Sequence, residues 1–545
     1  MIPRAVRACA APVLVFVALT AAVTYPQILH FSTSVPYHSD PYFSMWRLGW
    51  VAHAIVHAPR TLFEANIFYP EHHALAYSDA MLLPGTMLAP LFWVGVNPVA
   101  IYNLALFTAF TLSGVTGFVL ARHLTDDAAA AIAAGVIFAF APYRFTHYAH
   151  LELQIVFWIP LALLMIHRIV SRGASLRDGL LFGLAVTCQV LSCVYEGIFL
   201  VTYCAVFVPL VFITTGGRRP GRVMLALIAA GVVTLVVVSP YAMAYLRAEA
   251  AVGTRDLQTV RLYSATLTNY LSAPVMNRLY GSKAITNPLL ADEMNLFPGI
   301  IAVVLAAIGA VVGRSSVRFA YVAGLIFSLM MTQGANGFVY RWLFEHAPLF
   351  RGLRSPARFD IFVNLSLAVL SAYGVAFLLR GIQDAGRRRL AGVAIAALLI
   401  VEYASAPTVL PAPTPSRVDA WLAQQPPVVI VELPLISAKG MWGSLDWLYM
   451  YQGIPHFQRM LNGYSGYAPA SFYEMRQIMA SFPDDRSMAF LRQRGVNYVV
   501  VRAGIYEPQQ AASLLEQIQK RGDLSLKVMW ASGLQGAEGI YAVRK

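Results

Sequence analysis

Val223-Met-Leu-Ala-Leu-Ile-Ala-Ala-Gly-Val-Val-Thr-Leu-Val-Val-Val-Ser-Pro-Tyr-Ala-Met-Ala-Tyr-Leu246 carries no charged side chain, and its reading decides the fold. An apolar run that approaches or exceeds ~18 residues reads as a membrane-spanning helix, whereas barrel strands are short and alternate. Runs of this kind lie near 8–29, 99–121, 128–142, 153–169, 179–194, 197–215, 223–246, 298–313, 319–332, 360–380 and 391–407. Some are short for a ~30 Å hydrocarbon core, which tilting or kinking accommodates. Ala80 to Val96 is also apolar, but Pro84, Gly85 and Pro90 interrupt it. It is expected as a surface or re-entrant helix. The predicted class is an all-α polytopic membrane helical bundle of about 11 transmembrane helices, followed by a C-terminal extracytoplasmic α/β domain.

Composition agrees. The 545 residues are 58% hydrophobic and 12% charged, about half the charge of a soluble protein, and the mean hydropathy is +0.60. The net charge of +13 does not require nucleic acid, because arginines gather in short loops as the positive-inside rule expects. Cys9, Cys188, Cys193 and Cys204 all fall within apolar segments, so there is neither a disulfide framework nor zinc spacing. Arg4 and Arg7 precede an apolar stretch with small residues, as in a cleaved signal peptide. The run continues to Leu29, which suits an uncleaved first span better.

An odd number of spans puts the termini on opposite sides. With the N-terminus cytoplasmic, the inside loops carry Arg122; Arg168, Arg172 and Arg177; Arg218, Arg219 and Arg222; Arg314 and Arg318; and Arg380 with Arg387, Arg388 and Arg389. All are short and basic. The large loops 30–98, 247–297 and 333–359 and the tail then lie outside. The transmembrane part is expected over 1–407. Residues 408–416 form a proline-rich linker. Residues 417–545 read as a soluble outer domain, with strands at Val428–Leu433, Asn497–Val501, Leu524–Trp530 and Gly539–Val543 and an amphipathic helix at Pro508–Lys520. Its Trp442, Trp447, Tyr449, Tyr451, Tyr464 and Tyr467 suit stacking on sugars but are expected in the core.

Three constellations carry candidate chemistry. The first is His38-Ser-Asp40-Pro41-Tyr-Phe-Ser-Met-Trp46, just beyond the first span, opening an aromatic amphipathic helix to His57 of the kind that lies along an interface. Glu71, His72 and Asp79 follow in the same loop. Asp before Pro also fits a helix N-cap. The second is Arg144-Phe-Thr-His147-Tyr-Ala-His150-Leu-Glu152, with Glu196 between two later spans. Its spacing suits substrate hydrogen bonds and leaves room for a divalent metal, although zinc needs more ligands than His150 and Glu152 supply. The third is Arg351-Gly-Leu-Arg354-Ser355-Pro356-Ala-Arg358. Ser355-Pro356 reads as the start of the tenth span, where free N–H groups favour an anion. Arginine forks suit phosphate. Ordinary phospholipid head groups satisfy the same physics. The 247–297 loop, with Asp292 and Glu293, has no pattern that assigns a role.

The basic N-terminus, single span and long outer loop with an early acidic residue resemble the type-C (GT-C fold) polyprenyl-phosphate-sugar-dependent membrane glycosyltransferases, a superfamily that includes the protein O-mannosyltransferases and aminoarabinose transferases. Arg122-His-Leu-Thr125 as a tight inside turn and Phe140-Ala-Pro-Tyr-Arg144 at a span end extend the likeness over about the first 200 residues at spacings typical of polytopic helices. Asp40-Pro41 stands where many relatives have paired acids. The resemblance implies Asp40 as general base, Arg351, Arg354 and Arg358 as lipid-phosphate site, and no certain cofactor. Implied partners are a polyprenyl-phosphate sugar donor, a lipid, glycan or protein acceptor, and membrane lipids, with no nucleic acid. The implied location is a bacterial inner membrane, with the tail periplasmic. A transporter or flippase of lipid-linked saccharides, or a non-catalytic envelope assembly factor, are the rival readings.

Overall fold

The computed structural model describes residues 4–171, 175–414, 416–435, 444–532 and 536–544. Arg172 and Trp442 fall outside them. The chain is 67% helical. Helices occupy all eleven expected span positions. Six helical segments among the described residues are long and apolar enough to cross a membrane: Pro98–Thr125, Ala128–Thr146, Leu151–Ser171, Val194–Thr214, Pro220–Val252 and Pro356–Arg380. Ala10–Val23, Ile300–Val312 and Val317–Thr332 are apolar but shorter, as is Leu82–Trp93 over the proline-interrupted stretch.

Contacts divide the chain into two units. The first comprises Met1–Tyr37, Tyr102–Pro240 and Thr254–Leu410; the second comprises His38–Ile101, Tyr241–Gly253 and Pro411–Lys545. In the first unit the helix Asp360–Arg380 is buried along nearly all its length. Ile300–Val312 lies against it where Gly309 meets the Leu370 carbonyl and Gly374 meets the Leu305 carbonyl, with no room for a Cβ at either glycine. Small residues let helix backbones approach closely where lipid offers no hydrophobic drive for association. Helix Pro220–Val252 is the opposite case: only 17% of its apolar window is buried, and Leu235 and Val236 lie exposed. A face of this kind needs an apolar covering.

Polar connections secure the ends of this unit. Asp127 accepts the Ala130 N–H at 2.9 Å, capping the helix Ala128–Phe140, and pairs with Arg388. The turn after helix Pro98–Thr125 therefore meets the start of helix Ala385–Tyr403, and Arg122–Thr125, expected as a tight turn, is the last turn of the first of these helices. At other helix ends Thr146 donates to the Asn295 carbonyl at 2.7 Å and Tyr143 to the Arg358 carbonyl at 3.1 Å. β1 (Ser34–Pro36) and β2 (Val409–Pro411), the latter inside the expected linker, form a two-stranded sheet.

The second unit contains a five-stranded sheet of β3 (Val429–Leu433), β4 (Arg459–Met460), β5 (Tyr498–Arg502), β6 (Leu524–Ser532) and β7 (Gly536–Val543), in the order β4-β3-β5-β7-β6. β3 runs parallel to β4 and β5; β7 is antiparallel to β5 and β6. The hydrophobic runs in β3 and β5 are buried on both faces, as parallel strands require. Helices Arg417–Leu422, Asp446–Gln452, Ala470–Met479, Asp485–Gln493 and Pro508–Gln519, the last at the expected amphipathic stretch, complete the tail. The helix Asp40–His57, expected along a membrane interface, belongs to this unit and is buried on every face over its first three turns. Tyr42 stacks with Trp447 and Tyr451, and Phe43 with Tyr464, at 4.7–5.3 Å. Its aromatics pack on the tail's aromatics, of which Tyr449, Tyr451 and Tyr464 are core and Trp447 and Tyr467 half-buried.

One buried cation fixes the sheet. Arg502 on β5 bonds Glu432 on β3 at 2.7 Å, Glu538 on β7 at 2.8 Å and Asp419 of the helix Arg417–Leu422 at 3.1 Å. Burial pushes the Glu432 carboxyl up to about 7, with Arg502 opposing and Asp419 and Glu538 adding to the rise. Removing one partner from a buried network costs about 3–5 kcal/mol because the remaining charges stay uncompensated. Arg502→Ala is therefore expected to lower the thermal unfolding midpoint sharply. Glu432 binds its proton more tightly folded than unfolded, so its contribution is complete below the ordinary carboxylate range and is lost as pH rises through about 7. Unfolding of the purified protein at pH 5 and pH 8 should show that loss, and Glu432→Gln should flatten it. An unchanged pH slope in the variant would refute the role given to Glu432.

Candidate functional site

The helix Ala128–Phe140 stops at Ala141, whose extended backbone suits a residue before proline, and Pro142 begins a short turn to Thr146. Arg144 and Gln154 then close the loop between them. The Arg144 guanidinium donates to the Gln154 side chain at 2.7 Å, to its carbonyl at 2.9 Å and to Ser113 at 3.3 Å. The Gln154 amide returns bonds to the carbonyls of Arg144 and His147. Arg144 thus holds the loop rather than opening toward a ligand.

This latch presents His147 to a buried carboxylate. Glu293, in the turn Ala291–Met294, is 3% exposed. It accepts from the Nε of Arg358 at 3.0 and 3.1 Å and from Ser355 Oγ at 2.7 Å. The terminal nitrogen of Arg358 bonds it too. Arg354 stands 3.7 Å away and the Nε2 of His147 3.9 Å away. Burial alone would raise the Glu293 carboxyl, but Arg358 outweighs it and holds the group well below the usual carboxylate range. Burial lowers His147 to about 3 against the pull of Glu293, so its ring is neutral. Neither ring nitrogen has a hydrogen-bond partner among the described residues. His150 stacks edge-on at 5.6 Å. Glu152 lies within electrostatic reach of Arg358, and Glu196 within reach of Tyr143 and Arg144. His150, Glu152 and Glu196 are all buried.

The three arginines do not act alike. Arg358 lies over the Tyr195 ring and is consumed by Glu293. Arg354 lies over the Tyr263 ring at 4.8 Å and its side chain is 27% exposed. Arg351 turns away and donates to the carbonyls of Phe344 and Glu345 at the end of helix Phe338–His346, where a cation complements the helix dipole. Ser355 makes no side-chain cap; it serves Glu293, and a 3₁₀ turn over Pro356–Phe359 precedes the helix.

In the second unit Asp40 is the first residue of its helix, with Ser39 as N-cap. Asp40 Oδ1 accepts from the Tyr464 hydroxyl at 2.7 Å, and His38 Nδ1 accepts the Asp40 N–H at 3.1 Å. Glu71 accepts from Ser471 at 2.5 Å, and the exposed His72 bonds Glu64 at 3.0 Å. Asp79 accepts the Met81 N–H at 3.2 Å, and its carbonyl takes a bond from Arg47. Glu71, His72 and Asp79 thus have three different sets of neighbours: Glu71 ties the loop to the tail, His72 pairs with Glu64 and Asp79 holds its own turn.

Among the described residues no group of three His, Cys, Asp or Glu side chains could hold a metal ion, so the spacing of His147, His150 and Glu152 does not become a coordination site. Two residues lie outside the sequence candidates: Glu293, in a loop without pattern, and Tyr464, expected in the core. A signal for Glu293 existed. An arginine destined for burial needs a counter-charge, and the 247–297 loop has few acids. No protein-family profile and no curated protein sequence matches this chain.

Glu293→Gln is expected to cost about 3–5 kcal/mol, because Arg358 stays buried without its counter-charge. A double variant, Glu293→Leu with Arg358→Met, should recover most of that loss. Thermal unfolding in detergent reads both. A double variant no more stable than Glu293→Gln would show that the pair is not the source of the effect.

Proposed function

We propose that this chain is an integral membrane glycosyltransferase that moves a sugar from a polyprenyl-phosphate donor to an acceptor at the outer face of a bacterial inner membrane. The observation that carries the reading is the unequal pairing of two outer-loop arginines. Arg358 is neutralised by Glu293, while Arg354 sits beside the pair, part-exposed and braced on Tyr263. That leaves one oriented guanidinium at the start of an apolar helix, where a lipid-borne phosphate meets the membrane surface. The family resemblance assigns the general base to Asp40, a buried carboxylate of the second unit. The acceptor hydroxyl gives its proton to Asp40 as its oxygen attacks the anomeric carbon. The bond from that carbon to the phosphate oxygen breaks, and polyprenyl phosphate leaves with the electron pair. Arg354 stabilises the charge that develops there. His147, His150, Glu152 and Glu196 are assigned to acceptor binding, and the configuration at the anomeric carbon inverts.

A second reading, transport of lipid-linked saccharides, draws on Asp360. It is fully buried at the start of Pro356–Arg380 and accepts from Asn364 at 2.5 Å. Intramembrane carboxylates often mark ion or proton paths.

Asp40→Asn keeps the side-chain shape and an oxygen for Tyr464 but cannot take a proton. Turnover should fall ~10²–10⁴-fold while donor binding persists, measured with radiolabelled polyprenyl-phosphate sugars in proteoliposomes. Arg354→Ala should raise the donor requirement about tenfold or more, as loss of a charge-assisted bond predicts, with little change in unfolding. Full transfer by Asp40→Asn removes it from the mechanism. Sugar translocation without transfer by the wild type favours the transporter.

The basic loops of Arg218–Arg222 and Arg387–Arg389 are expected to be cytoplasmic, with eleven spans and the tail outside. A membrane-impermeant thiol reagent should label Gln519→Cys in intact spheroplasts. Labelling only after lysis reverses the topology.

A further inference from the structure

We infer a second ligand site, in the tail's α/β sheet, that binds a neutral saccharide; it does not depend on the transferase reading. From β3 the chain moves to β4 on one side, then crosses to β5 on the other. This is a topological switch point, and in open α/β sheets ligands bind in the crevice beyond the carboxyl ends of the strands there. An open groove of about 720 Å³, its polar wall exposed to solvent, occupies that place, within the usual size of small-molecule sites. Its wall begins at Leu433 and Pro434, where β3 ends, and continues at Ile505 and Tyr506, just past β5.

The lining selects the ligand class. Leu433, Met479, Phe482 and Leu514 make a buried apolar floor. Above it, helix Pro508–Gln519 presents Gln509, Ser513 and Gln517 at four-residue intervals, with Gln510 beside them. Residues four apart share one helix face, and the Gln517 amide donates to Ser513 at 3.1 Å. Amides and hydroxyls both donate and accept, which matches a ligand whose own groups do both. The one charged side chain lining the groove among the described residues is Glu507. Among the described residues no Lys or Arg lines the groove, so these walls offer a phosphate or carboxylate no counter-charge. A pyranose offers an apolar C–H face to the floor and hydroxyls to the glutamine row, and a carboxylate can take two adjacent hydroxyls.

The test uses the full chain in lipid nanodiscs, free of sugar-headed detergents. Saturation-transfer NMR is run with methyl glycosides of glucose, mannose, galactose, rhamnose and N-acetylglucosamine, and with neutral tetrasaccharides built from them. At least one probe should bind with Kd below about 10 mM. The Gln509→Ala/Gln517→Ala double variant and Ser513→Trp, which fills the groove, should each weaken it tenfold or more without moving the unfolding midpoint. Tighter binding of a tetrasaccharide than of its monomer points to a glycan end as natural ligand; equal binding points to a free sugar. No saturable binding by any probe overturns the proposal. So does sugar binding that survives both variants, or a groove that takes a hydrophobic dye which no sugar displaces.

Discussion

The pairing of Glu293 with Arg358 is the interaction on which the buried polar region of the first unit depends. Two charges removed from water are stable together only when geometry is good and the remaining polar atoms are served. Here both conditions hold. Arg358 meets both carboxylate oxygens, Ser355 supplies a further bond, and the Tyr195 ring covers the guanidinium. The pair joins the turn at Ala291–Met294 to the entry of Pro356–Arg380. That helix is the most enclosed of the six apolar segments, with 89% of its window buried. A misplaced entry would therefore disturb Gly309 and Gly374, where the backbones touch. His147, beside this carboxylate, nevertheless remains a neutral ring, because its burial outweighs the pull of Glu293.

Much of the fold was legible because its cause is local. An uncharged apolar run must satisfy its own backbone hydrogen bonds in lipid, and only a helix or closed barrel does so. Helices accordingly stand at each expected position, and strands β3, β5, β6 and β7 lie close to their expected bounds. What periodicity could not reveal is which helices are enclosed by protein. Asp40–His57 has the aromatic, amphipathic look of an interfacial helix, yet Trp447, Tyr451 and Tyr464, about 400 residues away, supply the covering that lipid was expected to give. Likewise Leu176–Ser192 and Ala385–Tyr403 are helical, but their length and composition alone do not mark them as membrane spans.

The candidate site was less legible, because charge pairing is non-local. The run from Arg351 to Arg358 reads as three equivalent phosphate ligands only while their partners are unknown. Glu293 claims one, the helix end at Phe344 and Glu345 turns the exposed Arg351 away, and Arg354 alone keeps a part-exposed edge beside Glu293. Arg144 had the same ambiguity: a polar residue at a span end serves either a ligand or its own loop, and Gln154 decides for the loop. Asp40 is a milder case. The capping position expected of it falls to Ser39, one residue earlier, and the Tyr464 hydroxyl engages its carboxylate instead.

The unequal fates of Arg354 and Arg358 bear on how an anion could be held reversibly at such a place. A phosphate facing two unpaired buried arginines would bind tightly and leave slowly, since its departure would strand two charges in a poorly solvated site. A phosphate facing none would have no reason to stay. Glu293 lies between these limits. It cancels Arg358 fully and Arg354 only weakly, across 3.7 Å, so the empty site carries no large unpaid charge. An arriving anion needs to displace only that weak contact, and Tyr263 keeps the guanidinium plane in position meanwhile. In the proposed reaction the leaving lipid phosphate gains charge as the sugar departs, and Arg354 would strengthen its hold at that moment and relax toward Glu293 afterwards. On the proposed reading Glu293 is more than a structural counter-ion: by competing for Arg354, it would set how tightly the product is retained.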